Sequence, residues 1–376
     1  MVVSYYRPTR VIVDLAAIKE NIRTQQQYLA KDQTIFAVVK ANGYGHGVLA
    51  VANAAQQAGA TGFCVATLDE GIELREAGFQ EPIFILGPID LNGLIWASKY
   101  QLGLPITSLE YLHELIQQAK LLTFAKNQVL QLHLAFDSGM GRIGFRQANE
   151  IQTAIQWMDQ AENMEWVGIF THFATADEQG KAYWQQQFSR FETVLAQLPR
   201  QPKYVHVSNS ATLLWQKPIG NVIRMGISMY GLNPSGTTLA LPVPLKPALR
   251  LVSALTQVKL VEKGEKIGYG KTYETTQAEW IGTVPIGYAD GFIRKFQGFS
   301  LLVDGYECEI VGRICMDQLM IRLPKSFPLG TEVVIIGKSK EKEISMQDLA
   351  DYVDTIHYEL ACLISTRVPR VYVEES

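Results

Sequence analysis

Lys40 carries the clearest chemistry in this chain. It closes the apolar run Ile35-Phe-Ala-Val-Val and is followed by Ala41-Asn-Gly43-Tyr44-Gly45-His46-Gly47. A buried strand that ends this way delivers an amine to its C-terminal tip. With its stem in an apolar wall, such a lysine is desolvated and its free amine attacks a carbonyl, so the chemistry it suits is a Schiff base. The glycines let the backbone turn sharply beside a ligand, and Tyr44 and His46 add polar tips to that turn.

The elements needed to position this lysine are legible around it. Short apolar segments at residues 35–40, 62–66, 82–86, 102–106, 129–136, 166–172, 203–207 and 222–225 alternate with amphipathic stretches. Leu15, Ile18 and Ile22, or Leu68, Ile72 and Leu74, show the helical spacing of these stretches. Eight βα units predict a parallel sheet closed into a (β/α)8 TIM-type barrel over residues 11–240. Its site then lies at the C-terminal strand ends. Lys40, Arg142, His172, Ser210 and Arg224 all fall at or just beyond such ends. Pro234, Pro242, Pro244 and Pro247 mark a connection, after which strand runs and the hairpin signal Asp304-Gly305 predict a mainly antiparallel β domain over 241–376.

Bulk properties exclude several classes. The chain has 376 residues, 47% of them apolar, and a formal net charge of -3 with no basic stripe. Nucleic acid and acidic membranes therefore have no electrostatic support as partners. The N-terminus lacks a signal-peptide pattern and no apolar run reaches about 18 residues, so a cytoplasmic protein is expected. Cys64, Cys308, Cys315 and Cys362 are widely spaced with no C-x-x-C pair, which predicts reduced thiols and no structural zinc site.

Lys40-Ala-Asn-Gly-Tyr-Gly-His-Gly resembles the cofactor-lysine motif of bacterial alanine racemases, enzymes that use pyridoxal 5'-phosphate (PLP). Further matching segments follow in the family's order along nearly the whole chain. The resemblance implies that residues 1–10 add a strand to the β domain. It also implies a homodimer in which Tyr269 and Met316 reach the site from the partner subunit.

PLP needs its phosphate held and its ring nitrogen controlled. Val207-Ser-Asn209-Ser210 and Arg224-Met-Gly226-Ile227 offer hydroxyl, amide and backbone N–H groups beyond the last strands, although the first segment also reads as a helix cap. By resemblance, Ser210, the amides of Gly226 and Ile227, and the hydroxyls of Tyr44 and Tyr358 cradle the phosphate, with Asn209 beside them. Arg224 would face the ring nitrogen. A guanidinium cannot accept the ring proton, so the nitrogen stays unprotonated and proton return competes better with transamination. Racemisation needs a base on each face of the α carbon, and the resemblance assigns Lys40 and Tyr269. A chain from Tyr269 through His172 to Arg224 would offset a tyrosine's free pKa of ~10. Arg142, in a glycine-rich loop, resembles the arginine that holds the cofactor phenolate and the substrate carboxylate. Met316 would give an amide to that carboxylate, Tyr358 would narrow the cavity to a methyl side chain, and Cys315 reads as wall.

One position departs from the family. Ala135 stands where many members carry a carbamylated lysine bracing the equivalent of Arg142. Because a buried guanidinium without an acceptor is costly, a small anion such as chloride near Arg142, or water held by Asn or Gln side chains, is expected to fill the gap. The resemblance implies a PLP-dependent alanine racemase supplying D-alanine for peptidoglycan. The alternatives are a broad-specificity amino-acid racemase and a non-catalytic PLP-binding regulatory protein.

Overall fold

The computed structural model describes residues 2–125, 128–216 and 219–374. The chain divides into two compact units, one of residues 18–43 and 48–246, the other of residues 1–17, 44–47 and 247–376.

The first unit is built on parallel strands. After β1 (Arg10–Asp14), which belongs to the other unit, come β2 (Thr34–Val38), β3 (Gly62–Val65), β4 (Ile83–Ile85), β5 (Leu102–Ile106), β6 (Leu130–Ala135), β7 (Met164–Phe170), β8 (Tyr204–His206) and β9 (Val222–Met225). Their order is β8-β7-β6-β5-β4-β3-β2-β9. A parallel bridge between Ser208 and Ile223, and a 2.9 Å bond from the Arg224 N–H to the Ser208 carbonyl, join the two ends and close the ring. Helices follow the strands, as at Leu68–Glu76 and Ala148–Gln160.

Alternation along the strands decides what fills the ring. Phe84, His133, Phe170 and His206 meet there with centroids 4.5 to 5.1 Å apart, and all four are buried. Barrels of this kind usually fill their interior with branched aliphatic side chains. This one carries an aromatic and imidazole layer instead.

The second unit is mainly antiparallel. Its strands are β10 (Leu249–Ala254), β11 (Gln257–Val261), β12 (Lys266–Ile267), β13 (Tyr273–Glu274), β14 (Glu279–Val284), β15 (Ser300–Val303), β16 (Tyr306–Val311), β17 (Leu319–Leu323), β18 (Glu332–Ser339), β19 (Lys342–Ile344) and β20 (Arg370–Val373). The large sheet runs β11-β14-β17-β16-β15-β18-β10-β1-β20. The N-terminal strand of this sheet is β1, Arg10–Asp14, which overlaps the residues 1–10 expected to supply it only at Arg10, and it runs antiparallel to β10 and parallel to β20. The stretch from Val252 to Val261 is divided between β10 and β11, because Leu255 and Thr256 turn the chain from the β18 pairing to the β14 pairing. Asp304 and Gly305, both at positive φ, make the tight β15–β16 hairpin.

Candidate active site

Lys40 begins a turn of unusual hand. β2 ends at Val38, two residues before the expected end, and Ala41, Asn42, Gly43 and Tyr44 follow with φ of 53°, 53°, 60° and 50°. Successive left-handed residues are costly, at about 1–2 kcal/mol for each one that bears a side chain. Local bonds offset this. The Ala41 N–H donates to Glu70 Oε1 at 2.7 Å, the Gly43 N–H to the Val39 carbonyl at 2.8 Å, and the Val48 N–H to Asn42 Oδ1 at 2.9 Å. Glu70 also closes the capping box with Thr67 at the start of the next helix, so one carboxylate ties the lysine turn to the element after β3. Nothing in the sequence pattern singled out Glu70 for this.

The distal part of the turn belongs to the β unit. Gly45, at φ 77°, gives its carbonyl to Arg370 Nε at 2.9 Å, and a Cβ there would land on the Ala361 carbonyl oxygen. Beside it the rings of Tyr44 and Tyr358 stand 6.3 Å apart. Tyr358 stacks on His357, whose Nδ1 meets Gln347 Oε1 at 2.8 Å.

Arg224, on β9, is 4% exposed. One terminal nitrogen donates to the carbonyl and to Nδ1 of His206, the latter at 3.0 Å. The other donates to the Thr171 carbonyl at 2.8 Å and to His172 Nδ1 at 3.3 Å. These bonds commit the terminal N–H groups, and Nε is left without an acceptor among the described residues. No carboxylate contacts this guanidinium among the described residues. Burial pushes it down to about 10, with the Cys64 thiol acting in the opposite sense. Burial likewise pushes His172 down to about 3, helped by Arg224, Arg142 and Lys40, so its ring is neutral. Since Nδ1 of His172 accepts, its proton sits on Nε2. Cys64 is wholly buried and its thiol is pushed up to about 12, which leaves it inert as a nucleophile.

Ser210 and the turn after β9 form a compact polar group. Ser210 Oγ accepts from the Gly226 N–H at 2.9 Å and from the Ser228 N–H at 3.4 Å, so its own O–H remains to be donated. Ser228 Oγ is buried with no partner among the described residues. Asn209 is the helix cap, its Oδ1 accepting from the Thr212 N–H and hydroxyl. The capping reading of this segment is therefore realised by Asn209, while Ser210 faces the neighbouring turn. Unmet hydroxyl donors beside a buried cation suit an anionic ligand.

Arg142 differs from expectation, for it is exposed, as is Met140 in the same loop. Ala135 is buried, while the Arg142 guanidinium is exposed in the single chain. Asp137 Oδ1 instead shapes the loop, accepting from the N–H groups of Gly139 and Gly141 at 3.0 and 2.9 Å.

In the β unit, Tyr269 is 72% and Met316 52% exposed. Tyr269 sits between Gly268 and Gly270, both at positive φ, and lines a cleft of about 450 Å³ with Cys315, Gln318 and Met320.

Residues 13–234 match the alanine racemase N-terminal domain and residues 248–372 the alanine racemase C-terminal domain. The alanine racemase of Ligilactobacillus salivarius is 51% identical over 374 residues, covering 99% of this chain and 100% of that one. The crystal structure of alanine racemase from E. faecalis aligns with a TM-score of 0.95 at 52% identity, over 99% of this chain and 100% of that chain. A histidine racemase from Leuconostoc mesenteroides aligns with a TM-score of 0.92 at 30% identity, over 99% of this chain and 100% of that chain. With both domains matched and half the residues shared over almost its full length, the chain belongs to the alanine racemase family.

Proposed function

We propose that this enzyme interconverts L-alanine and D-alanine with PLP by a two-base mechanism and supplies D-alanine for peptidoglycan. Arg224 carries the reading, since its terminal donors are committed and Nε remains. A ring nitrogen placed there receives a hydrogen bond and finds no carboxylate to keep it protonated. Ser210, Asn209, the amides of Gly226 and Ile227, Tyr44 and Tyr358 would hold the phosphate, and Lys40 would carry the cofactor. Bound PLP supplies the electron sink that acidifies the α hydrogen.

Lys40 would move the proton on one face and Tyr269 of the partner subunit on the other. His172 supports this division, because its Nε2–H is a donor suited to a phenolate and its neutral ring does not compete for the proton. Arg142 and Met316 would take the substrate carboxylate, and Tyr358 would limit the side chain. The exposure of Tyr269 and Met316 supports a homodimer with shared sites. Four cysteines, none of them in a disulfide among the described residues, agree with a cytoplasmic setting.

A circular dichroism assay with PLP tests the reading: L-alanine should lose its signal, with serine and histidine turned over much more slowly. Retained signal from alanine would refute it. Comparable rates on histidine would favour a broad racemase, the alternative that the Leuconostoc neighbour brings forward.

A further inference from the structure

Beneath Arg224 lies a polar residue that no step above uses. His133 is buried on β6, and its Nδ1 lies 2.9 Å from His206 Nε2. His206 Nδ1 lies in turn 3.0 Å from Arg224. We propose that His133 is a positioning residue for racemisation, which accepts the Nε2 proton of His206 and so holds that imidazole, and through it Arg224, in place. The proposal rests on the reading that Arg224 faces the cofactor ring.

Arg224 is the one group here whose hydrogen-bonding sense cannot change. A guanidinium only donates, so His206 Nδ1 must accept. A neutral imidazole with an accepting Nδ1 carries its proton on Nε2. That proton points at His133 Nδ1, which must accept as well, and the His133 proton moves to Nε2. Reversing either ring sets two donors face to face at 2.9 or 3.0 Å. Charging His206 does the same at Arg224. Burial agrees, pushing His133 down to about 3 and His206 well below its ordinary value. The relay has a single allowed sense, set by Arg224 and terminated by His133.

The barrel is also shaped around this imidazole. Gly168 on β7 pairs with His133, and a Cβ at Gly168 would fall on His133 Nδ1. A Cβ at Gly103 on β5 would stand 2.9 Å from Nε2. Neither glycine has a positive φ, so close approach alone accounts for them. Glycine inside a strand weakens it, and two of them flank one histidine. Phe84 and Tyr204 cover the ring at 4.5 and 5.7 Å.

The test combines labelled histidine with isosteric variants of the full-length protein. Only six histidines are present, so long-range 15N–1H spectra resolve each tautomer, assigned by single substitutions. His133 and His206 should both show a protonated Nε2 and a bare Nδ1, with and without PLP. Asparagine places an oxygen near the Nδ1 position; glutamine places its amide near Nε2. His133→Asn should preserve the His206 signal and recover most of kcat. His133→Leu and His133→Gln should shift that signal and lower kcat about tenfold with KM little changed.

A protonated Nδ1 on His206 in the unsubstituted protein overturns the proposal. So does an unshifted His206 in His133→Leu, or equal kcat for the Asn and Leu variants, as packing alone would give. If the Leu variant fails to fold, the spectrum of the unsubstituted protein decides. If the tautomers are as stated but alanine is not racemised, the functional reading fails and the relay stands.

Discussion

Lys40 and Arg224 divide the residue-scale chemistry between a movable proton and a fixed charge. Replacing Lys40 by alanine should abolish racemisation and the borohydride-stable cofactor label together; a label recovered on another lysine peptide would contradict the assignment. Arg224 has a readout that needs no mutation. With 15N-enriched PLP bound, the pyridine nitrogen should give the signal of an unprotonated ring at neutral pH, and a protonated signal would end the electronic argument. The histidines held neutral add a pH dependence. His133 and His172 are held at about 3, below their ordinary 6.5, so the folded state disfavours their charged forms. The stability they protect is complete above the unfolded value and is lost as pH falls from 6.5 toward 3. The urea midpoint should therefore drop between about pH 7 and pH 5, and less so in His133→Asn. An unchanged midpoint would mean that these rings are not held neutral.

Among the elements, the turn from Lys40 to Gly47 stands out for storing unfavourable backbone geometry next to a reactive amine. Two glycines separate its conformational cost from its packing cost. Gly78, at φ 97°, has open space where a Cβ would go, whereas Gly45, at 77°, has the Ala361 carbonyl there. Gly78→Ala should cost about 1 kcal/mol and Gly45→Ala about 2–4 kcal/mol, read as shifts in thermal midpoint. Equal shifts would show that the close approach of Gly45 to Ala361 is dispensable. Because Tyr44 precedes Gly45 directly, the alanine variant should also bind PLP more weakly.

For the whole molecule, the proposed division of bases between subunits predicts complementation. Lys40→Ala and Tyr269→Phe chains, each inactive alone, should regain activity when refolded together, since one of the two sites in a heterodimer then holds both bases. Verified heterodimers without activity would mean that each chain builds its own site. The exposure of Tyr269 at 72% is what this arrangement requires of a single chain.

What was readable in advance follows from local physics. Eight apolar segments at βα spacing, a lysine after one of them and glycine-rich turns after others are short-range patterns, and β2 to β9 lie within a few residues of the segments read as strands. The resemblance of the Lys40 motif, a local pattern too, pointed to the family. What escaped depends on residues far apart in sequence. Nothing near Glu70 marks it as the acceptor for the Ala41 N–H, 29 positions away. His133 and His206, separated by 73 positions, carry no local mark and gain direction only when closure of the ring sets Arg224 beside them. The exposure of Arg142 was likewise undecidable from its glycine-rich loop, because solvent contact depends on how the folded loop lies over its strand. Spacing along a chain determines which faces of a strand or helix are apolar. The partners that a buried donor or acceptor meets are decided by the packing of strands that the sequence holds apart.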